Sequence, residues 1–523
     1  MPRVPPGGGG LSAARASPGA DWRWLAAAAL AGGASVAGFG DWNLFPLPLL
    51  ALGLLFFAWA RTSAPRAAAG LGLAYGAGLF LVGVSWVYVS LHDFGMMPAP
   101  LAATATLLFC LYLALFPAAV GYLQARIPVA LPLRLMLVMP ALWTLTEWVR
   151  SWLFTGFPWL VLGYSQADGP LAGFGPILGV LGVTFLAAVA AGALAALASR
   201  GARRARAVAA GVLVVLGASG WALRGIAWTA PVGEPLAVSL VQGNIPQELK
   251  FVDGRYESTL ETYARLVEAS TGRLIILPEI AIPRFLHEVD PDYIARLKRV
   301  ATARDGDLLL GVPVLEAERR YYNAVVSLGT SPTQGYAKSH LVPFGEFVPP
   351  GFGWIVAVLR IPLSDFSRGS EGQRPLRLAG QRVALNVCYE DAFGPEIIRQ
   401  LPEATLLANV SNVAWFGDSL APAQHLRIAR MRSIETGRPM LRATNTGVTA
   451  VVDPRGTVVA RLPSFSAGVL EASVQGYEGI TPYVRAGNVP AVAAALIVAA
   501  AAAGFARRRR KNPNHDEDLR APT

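Results

Sequence analysis

Cysteine, histidine and charged residues are all scarce in this sequence. The 523 residues include two cysteines and five histidines, and only 15% of the residues are charged. Cys110 and Cys388 lie far apart, and no Cys or His residues have the spacing of a zinc site. We therefore expect no metal, no disulfide framework and no cofactor.

Hydrophobic residues are correspondingly abundant. They make up 53% of the chain, and the mean hydropathy is +0.43. A soluble enzyme of this length rarely has that balance, so membrane spans are expected. The net charge of +11 does not indicate nucleic-acid binding, because the basic residues collect in short loops between apolar runs and at the C-terminus, as membrane topology requires.

Eight apolar runs approach the ~20 residues that a helix needs to cross a bilayer. They follow residues 1–21, a polar lead-in that we expect to be disordered and cytoplasmic. The runs cover residues 22–39, 43–60, 68–90, 99–124, 130–148, 172–198, 205–224 and 488–506. The fifth run is the weakest, since Pro132, Pro140 and Glu147 lie in or near it.

The distribution of arginine indicates how these runs are oriented. Basic residues precede the first run and follow the second, fourth, sixth and eighth runs, whereas the alternate loops carry Asp41, His92 and Asp93. With eight spans, every basic cluster falls on the same side, and basic loops stay in the cytoplasm. We predict two cytoplasmic termini, a basic disordered tail over residues 507–523, and an external segment between the seventh and eighth spans.

The loop Val149–Leu171 is rich in aromatic residues around the sequence Gly156–Trp159. By the same topology it lies on the outer side. Because Trp and Tyr favour the headgroup level of a membrane, the loop is expected to lie in the interface. A simple connector between two spans is equally compatible with the sequence.

Between the seventh and eighth runs the chain changes character. Strand-like stretches recur at Leu236–Gln242, Arg273–Leu277, Asp307–Val314, Tyr322–Leu328, Gln381–Val387, Thr405–Val410, Thr449–Val452 and Thr457–Leu462. Helical patterns lie between them at Tyr256–Ala269, Pro291–Arg304, Pro395–Leu401 and Ala423–Thr436. These patterns predict one α/β domain over residues 230–480.

Cys388 stands at the end of the predicted strand Gln381–Val387, just before Glu390 and Asp391. A strand-to-helix corner is a common place for a nucleophile, because the corner directs the sulfur out of the sheet and a helix N-terminus favours the thiolate. A small buried apolar side chain is the ordinary alternative for a cysteine.

Three further landmarks stand at or after strand ends in the same domain. Glu279 closes an apolar strand, where a carboxylate needs a partner, although a structural ion pair would explain it equally well. Lys338 and Glu346 lie in a segment of turns and apolar residues, where a solvated lysine is the usual expectation. The amide-rich segment Asn409–Asp418 suits polar substrate contacts, but a loop with Asx-turns would look the same.

Together these landmarks resemble the nitrilase superfamily, and most closely the apolipoprotein N-acyltransferases, its membrane-embedded branch. The superfamily order of Glu, Lys and Cys is carried by LPE at Leu277–Glu279, by the segment Tyr336–Glu346 and by CYE at Cys388–Glu390. The branch is indicated by VQGNIPQ (Val241–Gln247), HLVPFGEFVP (His340–Pro349), SNVAWFG (Ser411–Gly417), TPYVRAGN (Thr481–Asn488), WVYVS (Trp86–Ser90) and TGFPWL (Thr155–Leu160).

The resemblance implies a bundle of about eight transmembrane helices joined to an extracytoplasmic nitrilase-like domain, an αββα sandwich. It implies Cys388 as nucleophile, Glu279 as general base and Lys338 as oxyanion stabiliser. Other positions important in the family correspond to Glu346, Tyr389 and Glu390. Two positions depart from the family pattern: Phe251 replaces a usual Trp and so loses its N–H donor, and Val413 replaces a common Asp.

The implied reaction takes an acyl chain from a phospholipid, with phosphatidylethanolamine as the expected donor, and forms a thioester on Cys388. The acyl chain then passes to the α-amino group of the diacylglyceryl-modified N-terminal cysteine of an apolipoprotein. The protein is expected to be a monomer in the bacterial inner membrane with its catalytic domain in the periplasm, in contact with membrane lipids and without nucleic-acid partners.

Two other functions are compatible with parts of the sequence. A membrane-anchored nitrilase-type amidase or hydrolase would use water, not an amine, to resolve the acyl-enzyme. A transporter or scaffold would use the external domain only to bind a ligand. The predicted spans contain few charges, with Glu147 as the main one, and no pathway for a coupling ion stands out, which argues against transport.

Overall fold

The computed structural model describes residues 21–316, 320–348 and 365–511. It has an N-terminal helical region, an α/β domain and one C-terminal apolar helix. The longer helices of the first region are Trp22–Ser35, Pro46–Ala60, Pro65–Gly83, Ala99–Ala125, Met139–Arg150, Gly175–Ala198 and Arg203–Leu223. The C-terminal helix is Val489–Lys511. The predicted disordered stretches before residue 21 and after residue 511 lie outside the described residues.

Each of the eight predicted runs coincides with helical structure. Among the described residues, five helices are long and apolar enough to cross a membrane, at Pro65–Gly83, Ala99–Ala125, Pro170–Ala198, Arg203–Leu223 and Val489–Arg508. The helix Pro46–Ala60 is apolar but shorter. The chain is therefore a membrane protein with several apolar helices, while a crossing by all eight runs stays a prediction.

Two predicted segments differ from the observed helices. The fifth run, with Pro132 and Pro140, is divided into a turn of α-helix, the π-helical turn Arg134–Val138 and the helix Met139–Arg150, because proline removes main-chain donors and disturbs regular helix geometry. The basic stretch Arg507–Lys511, predicted to be disordered, continues the C-terminal helix.

Small residues bring the apolar helices into close contact. A Cβ atom on Gly32 would lie 2.0 Å from the main-chain oxygen of Tyr75, and one on Gly72 would lie 2.3 Å from that of Pro117. Lipid tails are as apolar as leucine, so helices in a membrane associate through close packing of this kind. The many glycines of the helical region are therefore part of its packing.

In the part of the α/β domain that the structure describes, the strands form two six-stranded sheets. The first has the order β12-β1-β2-β3-β4-β5 and the second β11-β10-β9-β8-β7-β6. The strands of the first sheet are β1 Thr229–Gln242, β2 Leu274–Ile276, β3 Asp307–Leu315, β4 Tyr321–Gly329, β5 Gly335–Ala337 and β12 Gly468–Gly479. Those of the second are β6 Leu376–Leu378, β7 Gln381–Val387, β8 Leu406–Ser411, β9 Met440–Thr444, β10 Ala450–Val452 and β11 Val458–Arg461.

The eight predicted strands are all present. Seven agree with the structure within one residue at each end, whereas β1 begins at Thr229, seven residues before its predicted start. Strands β5, β6, β9 and β12 were not predicted. Strands β1, β2 and β3 pair in parallel, as do β7, β8 and β9, and the remaining pairs are antiparallel. A hairpin around Asp453 joins β10 to β11. Parallel strands place their carboxyl ends along one edge, where polar side chains can converge.

The two sheets pack face to face between outer helices. Aliphatic side chains such as Leu240 from the first sheet and Leu385 from the second share the central core. The helices Tyr256–Ala269 and Pro291–Thr302 cover the outer face of the first sheet. The helix Ala421–Thr436 covers that of the second. This is the predicted αββα sandwich. Strand β7 is buried on both faces, so its successive side chains alternate between the central core and the outer layer.

The helix Ala421–Thr436 also joins the sandwich to the membrane region. Gln424 accepts hydrogen bonds from the indoles of Trp86 and Trp159 at 3.2 and 2.6 Å. Further along, Glu435 accepts a hydrogen bond of 2.6 Å from the main-chain N–H of Val180. Because 14 of its side chains are buried, this helix is packed on both sides and fixes the domain against the helical region.

Candidate active site

The predicted site residues Glu279, Lys338 and Cys388 all follow the ends of strands. Glu279 comes three residues after β2, Lys338 directly after β5 and Cys388 directly after β7. The ammonium Nζ of Lys338 lies 3.2 Å from Oε1 of Glu279. The charges of both groups act on the Cys388 thiol. The facing sheets therefore bring residues that are 109 positions apart in sequence, from 279 to 388, into one site.

Lys338 lies between two carboxylates. Its Nζ atom lies 2.8 Å from Oε2 of Glu346 as well as 3.2 Å from Glu279. Only 1% of the lysine side chain is exposed. Buried charges need partners, and this arrangement supplies one cation to two anions. Lys338 and Glu346 are thus buried beside Glu279, whereas a lysine in a segment of turns is usually solvated.

Asn323 is a site residue that the sequence did not predict. From the third position of β4, its Nδ2 atom donates to Oε1 of Glu279 at 2.7 Å and to Oε1 of Glu346 at 2.8 Å. The main-chain N–H of Asn412 donates to the other oxygen of Glu279 at 2.7 Å. The Glu279 carboxylate is thereby held on both oxygens, and its orientation is fixed.

Hydrogen bonds and charge determine the ionisation of these groups. Burial alone would raise the pKa of Glu279, but Lys338, Asn323 and the Asn412 amide outweigh it and hold that pKa below its ordinary value. Burial would lower the pKa of Lys338, but Glu279 and Glu346 raise it well above the usual range. The resting site therefore holds an ionised carboxylate against an ammonium.

Cys388 departs from the sequence prediction in one respect. Burial, followed by the charge of Glu279, raises the pKa of its thiol well above the usual range, and Lys338 only partly opposes this shift. In place of the expected longer helix, Cys388 opens a 3-10 helix of five residues, Cys388–Ala392, whose dipole is small. The resting sulfur is thus a neutral thiol that needs a base at the moment of attack.

The main chain at Cys388 is held in an unusual conformation. Its φ angle is +53°, in the left-handed region that non-glycine residues seldom occupy. The carbonyl oxygen of Cys388 accepts from Nδ2 of Asn409 at 3.0 Å and contacts Nε2 of His425 at 3.2 Å. Such strain at a functional side chain persists when its surroundings fix it.

Glu390 connects the segment of Lys338 to the strand of Cys388. Its Oε1 atom accepts from the main-chain N–H groups of Ser339 and His340 at 2.6 and 3.0 Å. Its Oε2 atom accepts from the N–H of Val387 at 2.7 Å and from the Tyr336 hydroxyl at 2.9 Å. Glu390 therefore holds two parts of the site in register and does not itself contact Glu279.

Tyr389 faces the helical region. Its hydroxyl donates to the main-chain oxygen of Gly156 at 2.8 Å, and its ring stacks on Trp159 at 6.4 Å between centroids. The loop Val149–Leu171, expected in the membrane interface, is thus largely packed against the α/β domain, with Trp159 buried. Phe154, in contrast, is 78% exposed.

Lys250 is a second cation near the thiol. Its Nζ atom donates to the main-chain oxygen of Glu279 at 3.3 Å, and the side chain is buried. Burial lowers the pKa of Lys250 to about 8, although the charges of Glu279 and Cys388 act in the opposite direction. The sequence did not single out this residue, since a lysine is usually solvated.

The two departures from the family pattern lie near the site. Phe251 is partly buried next to Lys250. Val413 is buried, and a Cβ on Gly447 would come within 2.2 Å of its Cγ2. Neither is among the residues that contact Glu279 or Lys338 in the hydrogen bonds above.

The arrangement fits acyl chemistry. A thiol, a carboxylate and an ammonium can together provide a nucleophile, a proton acceptor and a positive charge for a developing oxyanion. Within residues 21–316, 320–348 and 365–511, no group of three or more His, Cys, Asp or Glu side chains could hold a metal ion.

Comparison with known proteins gives one consistent result. Residues 31–193 match the family model of the apolipoprotein N-acyltransferase N-terminal domain, and residues 237–482 match that of carbon-nitrogen hydrolases. The apolipoprotein N-acyltransferase of Nitrosomonas europaea is 50% identical over 475 residues, which cover 89% of this chain and 94% of that protein. The enzyme of the same name from Ralstonia nicotianae is 45% identical over 438 residues, covering 82% and 83%.

Proposed function

Because the chain belongs to the apolipoprotein N-acyltransferase family and is an enzyme of lipoprotein N-acylation, we propose that it works in two steps through a thioester on Cys388. The observation that carries this proposal is the contact of Lys338 with Glu279 and Glu346 beside the thiol. Cys388 is the nucleophile, Glu279 the general base and Lys338 the stabiliser of the oxyanion.

In the first step the thiol attacks an ester carbonyl of a phospholipid. Glu279 takes the thiol proton as the C–S bond forms, which the neutral resting thiol requires. The Lys338 ammonium faces the negative charge that develops on the carbonyl oxygen, and one such interaction in a dry site contributes about 3 kcal/mol. The intermediate then expels the glycerol oxygen, which receives the proton from Glu279, and the lysophospholipid departs.

In the second step the α-amino group of a diacylglyceryl-modified N-terminal cysteine attacks the thioester carbonyl. Glu279 now accepts a proton from the amine, the C–S bond breaks, and the amide forms. The sulfur leaves as a thiolate and regains its proton from Glu279. A thioester suits this sequence, since it reacts readily with amines and survives briefly when water is excluded.

The contacts of the helical region support a catalytic domain on one face of the membrane. Three connections, or the helix ends next to them, contact the α/β domain. Gly40 accepts from Arg427 and Gly83 accepts from Gln424. In the loop Val149–Leu171, Gly156 accepts from Tyr389 and Asp168 pairs with Arg427 at 2.9 Å.

The basic connections alternate with these three along the chain, at the opposite ends of helices that are 15 to 27 residues long. Arg61 lies over the ring of Trp24, near the start of the first helix. Basic loops stay in the cytoplasm, so both termini are cytoplasmic and the domain over residues 230–480 is periplasmic. We propose a monomer in the inner membrane with phosphatidylethanolamine as its donor.

Intact-mass analysis of the protein purified from its membrane tests the proposal. We expect a mass increase equal to one acyl chain, removed by neutral hydroxylamine as a thioester is, and absent in Cys388→Ala. A hydroxylamine-resistant adduct, or full acyl transfer by Cys388→Ala, would contradict the assignment.

A membrane-anchored amidase or hydrolase is the alternative. Labelled phospholipid as sole donor separates the two functions, since an acyltransferase forms an N-acylated lipopeptide and a hydrolase forms free fatty acid even when the amine acceptor is present.

A further inference from the structure

His340 has an acceptor oxygen at both nitrogens of its ring. Nδ1 lies 2.9 Å from Oε1 of Glu396, and Nε2 lies 3.1 Å from the main-chain oxygen of Thr155. A carbonyl oxygen and an ionised carboxylate can only accept hydrogen bonds, and a neutral imidazole donates from only one nitrogen. Both contacts are hydrogen bonds at once if the ring is an imidazolium and Glu396 is ionised, or if a neutral ring donates from Nε2 and accepts at Nδ1 from a protonated Glu396.

The surroundings of this ring confine it. His340 is buried, with its ring stacked on Phe393 at 3.6 Å between centroids and edge-on to Tyr389 at 5.8 Å. The second oxygen of Glu396 is buried and has no protein partner. The Glu396 side chain is 23% exposed, so it is only partly desolvated, and partial solvation favours the ion pair over a neutral pair.

The far side of His340 contacts a strained part of the helical region. Phe154, Thr155 and Gly156 have φ angles of +53°, +74° and +91°, and this conformation is costly for the first two, which carry a Cβ. Two consecutive main-chain oxygens of the turn contact side chains of the α/β domain. The oxygen of Thr155 contacts the His340 ring, and that of Gly156 accepts from the Tyr389 hydroxyl.

The near side of His340 belongs to the catalytic segment. His340 lies two residues after Lys338, and its own N–H donates to Glu390 at 3.0 Å. The N–H of Lys338 donates to the main-chain oxygen of Asn323 at 2.8 Å. The Lys338 segment is therefore fixed to the sheets by these two main-chain bonds and to the membrane-side turn by the His340 ring.

We propose that His340 is a positioning residue that acts as a cation: its imidazolium joins Glu396 to the strained turn 154–156 and thereby holds Lys338 in place for acyl transfer. This inference rests on the proposed function. Three charged or titratable groups face His340. They are Glu396, Tyr389, and the Glu390 carboxylate, which accepts from the main-chain N–H of His340. The charge of Arg150 acts in turn on the Tyr389 hydroxyl.

Nitrogen NMR on ¹⁵N-histidine-labelled protein tests the charge directly. The chain has five histidines, so the His340 signals are assigned by their loss in His340→Gln. At pH 7 we expect both ring nitrogens of His340 to carry protons in the wild type, and we expect Glu396→Gln to return the ring to a neutral form. One unprotonated nitrogen in the wild type, or an imidazolium that persists in Glu396→Gln, would overturn the proposal.

Kinetics of thioester formation test the positioning role. His340→Gln and Glu396→Gln should each lower kcat by about 10-fold or more with little change in KM, since a misplaced catalytic group costs rate. His287→Gln is the matched control, because His287 is exposed in the same domain, and it should leave the rate unchanged. A wild-type kcat in His340→Gln would overturn the role while leaving the proposed function intact, whereas full activity of Cys388→Ala would remove the proposed function itself.

Discussion

The helical region and the α/β domain both bury charge, but they use it differently. In the α/β domain, Lys338 contacts Glu279 and Glu346 beside a thiol. In the helical region, the buried carboxylate of Glu147 accepts from the Trp143 indole at 3.1 Å, together with the Leu162 main chain and the Thr184 hydroxyl.

The set in the α/β domain, Lys338 with its two carboxylates, places unlike charges beside one reactive atom, the sulfur of Cys388. The second satisfies hydrogen-bond donors of the helices and of the loop Val149–Leu171, and Arg150 extends it by donating to the main-chain oxygens of Phe157 and Trp159 at 2.7 and 2.6 Å. A buried charge therefore indicates catalysis only where its partner faces a reacting group. If this distinction is correct, substitutions in the first set should stop chemistry, and substitutions in the second should weaken the fold.

The largest effect is expected for Lys338→Met, which keeps the length of the side chain but removes its charge. Without the cation, one of the two facing carboxylates takes up a proton and the oxyanion has no counter-charge. We expect thioester formation to slow by about 10³-fold or more, measured as acyl adduct by mass against time. The matched control is Lys298→Met, since Lys298 is exposed. A Lys338→Met rate within a factor of three of that control, roughly 0.6 kcal/mol, would contradict the assigned role.

In the helical region Glu147→Leu should weaken the fold. It leaves the Trp143 indole and the Leu162 N–H without their acceptor, and it leaves Arg150 without its acidic neighbour at 3.9 Å. Breaking a buried pair in this way costs about 3–5 kcal/mol, so the midpoint of thermal unfolding in detergent should fall markedly. Glu147→Gln retains one acceptor oxygen, so its midpoint of thermal unfolding should fall less. If the folded fraction of Glu147→Leu loses thioester formation as fully as Lys338→Met does, the contrast between the two regions fails.

A smaller effect is expected for Asn323→Ala. It removes the amide that holds Glu279 and Glu346 at 2.7 and 2.8 Å while leaving every charge in place. A small misplacement of a catalytic group costs about 10²-fold in rate, so thioester formation should fall by about 10- to 100-fold. Asn323→Asp adds a third carboxylate to the site, so its rate of thioester formation should fall further. Equal rates for Asn323→Ala and the wild type would show that the two carboxylates keep their geometry without the amide.

Sequence patterns predicted the parts of the site that local structure determines. Glu279 and Cys388 stand where apolar strands end, and a strand end is visible in sequence because the apolar run stops at a polar residue. The eight predicted strands are also local patterns. The unpredicted strands β5 and β6 are three residues long, too short to show an alternation. The assignment of Lys338 to the site depended on the family resemblance.

Other features were not predictable because their partners are distant in the chain. Asn323 lies inside an ordinary strand, and its role is apparent only when Glu279 and Glu346 are placed beside it. The loop Val149–Leu171 packs on Tyr389 and Gln424, more than 200 residues away. The thiol of Cys388 is neutral at rest because burial and nearby carboxylates raise its pKa more than Lys338 lowers it. The position of a cysteine at a strand end does not reveal which of these effects is larger.

The smallest effect, and the finest test of how the α/β domain uses charge, concerns Lys250. Its folded pKa is about 8 because burial disfavours the ammonium, whereas an unfolded lysine titrates at about 10.4. Between these values the unfolded chain binds more protons than the folded one, so Lys250 makes the free energy of unfolding rise with pH from about 8 to about 10. Lys250→Met should remove that rise and Lys298→Met should retain it, compared by thermal unfolding in detergent at pH 8 and pH 10. Because every other titrating group is common to both variants, an unchanged rise in Lys250→Met would mean that Lys250 remains charged in the folded protein, as Lys338 does.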